Sequence, residues 1–231
     1  MEKWSKRFAG RHLVKRTGIM LASVIVMGMG VGFFMLAEMG SDPFSTVNLG
    51  ISSKIGLSFG TWQAAFNVAL LVMIVFVDRS KLGIGTIGNM FLVGFSADVM
   101  KSFLVTVLPP TEELGFVVRI LLTLLGVSMQ LVGCSFYVTC DLGMAPYDCV
   151  SYIVPERTKI PFRWWRIFID VVCVAVGFAC GASIGIGTLL MAFCTGPILP
   201  LLNRYVAGPL VGEKGKTLGG SASKPPQGAE T

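Results

Sequence analysis

The sequence predicts an all-α polytopic membrane protein. Six transmembrane helices are expected as two inverted three-helix repeats, each with a short non-spanning helix after its first span. Three observations lead there. Hydrophobic residues make up 53% of the chain and charged residues only 14%, against about 25% charged in a soluble domain. The apolar residues fall in runs close to the roughly 20 residues that cross a hydrocarbon core. Gly, Pro and Trp residues also recur at a fixed spacing of 103 positions.

The elements follow in order. Residues 1–16 form a basic cytoplasmic segment that is also suited to anionic lipid. Residues 17–37 are the first span. A cleaved signal peptide is excluded because the run exceeds an h-region and Glu38 and Met39 stand where small residues are needed. The second span, residues 62–77, is short and is expected to begin near Leu57. The third covers 84–107, completing a first repeat over 17–104. An acidic extracytoplasmic loop, 105–118, joins the halves. Spans at 116–139, 164–182 and 184–206 build the second repeat over 119–204, and residues 205–231 are expected to form a disordered cytoplasmic tail.

With both termini inside, the cytoplasmic face holds 16 of the 19 Lys and Arg residues, leaving Lys54, Lys101 and Arg119 outside. That is the asymmetry of the positive-inside rule. The net charge of +6 therefore reads as topology rather than nucleic-acid binding, since the basic residues sit in short juxtamembrane clusters. No cofactor and no metal are expected. The only histidine is His12, and none of the six cysteines forms a C-x-x-C pair, so they read as small apolar packing residues.

The repeat is specific in its landmarks. Arg16 meets Arg119, Gly30 meets Gly133, Gly40 meets Gly143, Pro43 meets Pro146 and Trp62 meets Trp165. After a one-residue gap, Gly83-Ile84-Gly85-Thr86 meets Gly185-Ile186-Gly187-Thr188. Three spans per repeat turn the second half upside down.

Two motifs carry the functional expectation. The first follows each first span: Glu38-Met39-Gly40-Ser41-Asp42-Pro43-Phe44-Ser45, and Asp141-Leu142-Gly143-Met144-Ala145-Pro146-Tyr147-Asp148. Gly suits a helix end with φ > 0, Pro suits the first turn of the next helix, and Asp42 suits its N-cap. About a dozen helical residues then either lie in the interface or dip in and return. If they dip in, the helix N-termini at Pro43 and Pro146 face the protein interior, as in midplane transporter sites. The second motif opens the third span of each repeat: Gly83, Gly85 and Thr86, then Gly185, Gly187 and Thr188. Its glycines permit close packing and its threonines suit helix capping. It is not a phosphate loop, because no Gly-Lys-Ser/Thr follows. Gly28/Gly32 and Gly177/Gly181/Gly185, spaced by four, are expected to let helices approach closely.

Ionisable residues in spans are functional candidates. Asp170 lies inside the fifth span with Asn67 as its repeat mate, and it has two readings. It pairs with Arg166 four residues earlier, or it faces the short helix beside Asp148. Asp98 is expected to pair with Lys101, and Gln130 to bridge helices. The candidate substrate-binding set is Asp42, Pro43, Asn67, Pro146, Asp148 and Asp170.

These motifs together resemble the YczE/YyaS/YitT group of bacterial membrane proteins over about residues 16–204. The carriers are the Gly-x-x-Pro-aromatic segments, Gly60-Thr61-Trp62, and the Gly-Ile-Gly-Thr entries. The resemblance implies a bacterial plasma (inner) membrane location and no particular substrate. Repeat one departs from the pattern: Ser45 stands where repeat two keeps Asp148, with Asp42 as the nearest substitute.

The functional expectation is a small secondary transporter or exporter with its site between the repeats. The alternative is a non-transporting scaffold or assembly factor. An enzyme is not expected, because no H-E-x-x-H, G-x-S-x-G or Ser–His pair is present in the spans. Expected partners are the bilayer and an unidentified small molecule or ion; a homodimer is compatible with the sequence, and nucleic acid is not.

Overall fold

The computed structural model describes residues 13–79, 82–158 and 160–211, and these contain helices and no strand. The sequence readings for the basic residues before 13, His12, Lys81, Lys159 and the tail beyond 211 lie outside the described residues.

Eight helices of 12 residues or more follow the predicted order. They are α1 (Leu13–Ala37), α2 (Pro43–Ile55), α3 (Phe59–Val77), α4 (Ile84–Val107), α5 (Phe116–Cys140), α6 (Pro146–Arg157), α7 (Phe162–Ala179) and α8 (Ile186–Leu202). A π-helical turn (Asn203–Ala207) and a short α9 (Gly208–Val211) continue α8. Pro197 and Pro200 lie inside α8, and the chain bends there by 51°. Proline removes a ladder N–H and clashes with the preceding turn, which accounts for the bend.

Four helices, α1, α3, α4 and α5, are long and apolar enough to cross a membrane, and a fifth if the bent pair from Ile186 to Val211 counts as one span. The expected six is therefore met only in part. The remaining helix, α7, has 18 residues and carries Arg163, Arg166 and Asp170. The tail also begins later than expected. The chain stays helical to Val211, whose side chain is buried beside Met20 and Val24 of α1, and Lys15 donates to the Leu210 carbonyl at 3.0 Å.

The centre is the crossing of α1 with α5 and α4. Small residues make it close. A Cβ on Gly30 would sit 2.9 Å from the Gly126 carbonyl oxygen, and one on Gly133 would sit 2.7 Å from the Ser23 carbonyl oxygen. In the frame of 103, Gly30 corresponds to Gly133 and Ser23 to Gly126, so these are the same contact made twice. Gly32 seats against Met100 of α4, and Gly177 against Thr46 of α2, as expected. Gly181 does not pack: it has φ +97° and open space around it, and it serves the turn after α7.

Paired arginines mark the two ends of this crossing. Arg16 of α1 donates to the Cys140 carbonyl at the end of α5 at 3.2 Å. Arg119 of α5 donates to the Ala37 carbonyl at the end of α1 at 2.8 Å. Each guanidinium meets carbonyls that a helix C-terminus leaves without helical partners. The helices therefore run antiparallel, with these ends about 30 Å apart at 1.5 Å per residue.

Candidate functional site

Each long central helix ends in a turn that re-aims the chain. The left-handed residue closing α5 is Asp141 (φ 46°), and Glu38 (φ 50°) follows α1 in the same way. This corrects the expectation that Gly40 and Gly143 cap the helices. The glycines come two residues later, with φ +89° and +125°, and complete the reversal. In each half a left-handed acidic residue and a glycine two positions on turn the chain together.

The Gly-Ile-Gly-Thr motif of each half holds the turn of the other. Gly85 N–H donates to the Leu142 carbonyl at 2.9 Å, and Gly187 N–H donates to the Met39 carbonyl at 2.8 Å. Gly83 and Gly185 approach the same backbones closely enough to leave no room for a Cβ. Thr86 accepts from Gly83 N–H at 3.1 Å and donates to the Met144 carbonyl at 2.7 Å. Thr188 is buried beside Gly40, and its hydroxyl has no partner among the described residues, so it does not cap α8. The motif is thus an interlock between halves.

The short helices dip inward. Phe44, in the first turn of α2, stacks on Tyr147, in the first turn of α6, with centroids 4.6 Å apart. These residues follow turns at opposite ends of a crossing about 30 Å long, a distance no aromatic side chain spans. Both chains must return toward the middle before their short helices start. Pro43 and Pro146 occupy the opening turns, and Asp42 accepts from Ser45 N–H at 3.0 Å as the N-cap of α2.

Around Tyr147 lies a network that joins α6 to α7. Arg166 donates to Asp148 at 2.9 Å and to Asp170 at 3.2 Å, and reaches the Ser151 hydroxyl at 3.3 Å. Its guanidinium lies 5.0 Å from the Tyr147 ring centroid. The Tyr147 hydroxyl donates to Asp170 at 2.5 Å, and Cys173 Sγ lies 3.8 Å from that hydroxyl. Arg166, Asp170, Cys173 and Gly177 recur at helical spacing along the face of α7 that meets α6 and α2. Asp42 is within electrostatic reach of both Asp170 and Arg166. The two readings of Asp170 are therefore both met: it pairs with Arg166, and through that side chain it joins Asp148. About a third of the Arg166 and Asp148 side chains stays exposed, so the network borders open space.

The first half places neutral residues in the same frame. Ser45, Gln63 and Asn67 stand where the second half has Asp148, Arg166 and Asp170. Asn67 is 1% exposed on α3, and its amide has no partner among the described residues, so it does not join Asp170. Gln63 and Gln130 each keep a buried oxygen without a partner among the described residues. Asp98 does not pair with Lys101 either. Its carboxylate accepts from Gly60 N–H at 2.8 Å, where α3 opens and N–H groups lack helical acceptors. Tyr147, Arg166, Ser151 and Asn48 are the site residues that sequence reasoning left out of its set. Extending the 103-residue frame to Gln63/Arg166 and Asn48/Ser151, beside Phe44/Tyr147, would have flagged them.

No group of three His, Cys, Asp or Glu residues among those described is placed to hold a metal. No disulfide joins the cysteines. Long apolar helices around a small ionised centre define a helical integral membrane protein. The chain matches the family of unknown function DUF6198 over residues 14–204, and it belongs to that family. It is 26% identical over 194 residues to an uncharacterized protein of Haemophilus influenzae, covering 84% of this chain and 85% of the relative. It is 26% identical over 190 residues to the uncharacterized membrane protein YczE of Bacillus subtilis (82% and 86% covered), and 23% identical over 188 residues to YyaS of the same organism (79% and 91%). No solved structure matches the chain.

Proposed function

We propose that this protein is a small secondary transporter of the bacterial plasma membrane, with six spans in two inverted halves and both termini in the cytoplasm. Its site lies where the two short helices meet. The carrying observation is the Asp148–Arg166–Asp170 network between the first turn of α6 and α7, which the six-span reading takes as a span. Ionised groups are costly in a bilayer and are kept at substrate or ion paths. The paired contacts of the halves support the inverted arrangement, and half-helices starting at mid-depth support the site. The mechanism is binding and conformational exchange, with no catalytic step.

The test is thermal stabilisation of purified protein across a metabolite and ion panel, then flux of each stabilising compound into proteoliposomes. Flux that disappears in well-folded Asp170→Asn protein supports the reading. Unchanged flux in that variant refutes the assignment of Asp170. The close α1–α5 crossing at Gly30 and Gly126 favours a second reading, a rigid scaffold or assembly factor. Stabilising ligands that are never transported would favour it.

A further inference from the structure

The sequence leaves the sign of the transported species open. Helix N-termini at Pro43 and Pro146 suit an anion, and carboxylates suit a cation. At both helix N-termini the chain already places a carboxylate of its own, bonded to the backbone in α2 and to Arg166 in α6. Asp42 already accepts from the Ser45 N–H of α2, and Asp148 already stands in the first turn of α6. The charge of the network points the other way from an anion. Asp148 and Asp170 outnumber Arg166 by one, before Asp42 is counted.

A second observation does not depend on charge. Asn48 is fully buried, and its amide N–H donates to the Phe44 carbonyl at 2.7 Å. That bond fixes the amide orientation and leaves Oδ1 without a partner among the described residues. Asn48 follows Phe44 by one turn, on the face of α2 that carries Phe44 onto Tyr147. Asp42 Oδ2 is also buried without a partner among the described residues. Both are acceptors, and a buried acceptor is stabilised by an N–H or O–H donor. The aromatic faces add a third feature. Arg166 already shows how a planar cation is held here, above Tyr147 and between two carboxylates.

From these features we infer that the site binds a monovalent organic cation bearing N–H donors, of the protonated amine class. The inference rests on the transport reading and names its substrate class. The cation sits beside the Phe44–Tyr147 stack, with Asp42 and Asn48 as acceptors.

The test uses phenethylammonium chloride and sodium phenylacetate, which share a ring and differ in charge. Binding to the purified full-length chain is read from tryptophan fluorescence and thermal unfolding. Saturable binding of the amine alone is expected. Asp42→Asn keeps a competent N-cap, so Tm should hold while Kd for the amine rises about tenfold. Asp148→Ser, the residue of the other half, should weaken binding in the same direction and serves if Asp42→Asn does not fold. Asp98→Asn should leave binding unchanged. Binding of phenylacetate instead overturns the cation assignment and leaves the transport reading standing. Binding of neither probe, or equal amine binding in parent and both site variants, overturns the inference. Saturable amine binding without amine flux in proteoliposomes keeps the cation site and overturns transport.

Discussion

Arg166 ties together carboxylates from two helices, one on α6 and one a turn along α7. Removing it alone leaves two carboxylates without their shared cation, with part of their surface not covered by protein. Arg166→Gln should therefore lower stability by about 1–3 kcal/mol, less than for a pair fully enclosed by protein. The triple variant Asp148→Ser/Arg166→Gln/Asp170→Asn copies the neutral residues of the first half. It should unfold closer to the parent protein than Arg166→Gln does, while abolishing ligand binding. Thermal unfolding of the purified variants measures both, and additive losses would mean that the three side chains are not coupled. Asp98 poses a simpler question. Asp98→Ala should cost about 0.5–2 kcal/mol as a lost helix cap, whereas Lys101→Ala should be nearly neutral. The reverse order would restore an ion-pair role for Asp98.

At the scale of elements, the reversals after α1 and α5 decide where the short helices begin. Gly40 has φ +89°, and a Cβ there would lie 2.7 Å from the Gly185 nitrogen. Gly56 also has positive φ, +73°, but nothing lies within 4 Å of its Cβ position. Gly56→Ala should therefore cost only the left-handed backbone preference, about 1–2 kcal/mol. Gly40→Ala should cost more, because the interlock with the start of α8 must also shift. Gly18→Ala, inside a helix and with open space around it, should stabilise by up to about 1 kcal/mol. Folded yield by detergent size-exclusion and thermal unfolding gives the order. Equal losses at Gly40 and Gly56 would show that the interlock adds nothing.

For the whole molecule, the reciprocal bonds Gly85–Leu142 and Gly187–Met39 require each half to complete the turn of the other. The halves are thus expected to fold together and not as separable units. The charge asymmetry sets the orientation to be tested. Reporter fusions after Gly56, Glu113 and Ser183 should read outside, and those after Arg79 and Arg157 inside. An outside reading at Arg157 would place the second half in the same orientation as the first, and the inverted arrangement would fail.

Composition and run length alone determine that this chain lives in a bilayer as helices, because only closed backbone hydrogen bonding survives there. Local chemistry carries further. Pro43 and Pro146 mark the short helices, Asp42 marks a cap, and the frame of 103 pairs Arg16 with Arg119 before any contact is known. Each of these signals lies within a turn of chain or in a repeated spacing. What the sequence left open depends on distances between segments far apart in it. Asp98 has a cationic neighbour at i+3, yet its carboxylate goes to Gly60, 38 residues away, because the start of α3 offers a donor without an acceptor. Asp170 joins Asp148 only because α6 and α7 pack together and Arg166 reaches both. The depth at which α2 and α6 begin is set by the Phe44–Tyr147 stack and by the interlocked turns, which no periodicity encodes. The bond from Arg166 to Asp148 is likewise a product of tertiary packing, because 18 residues separate the two in the sequence.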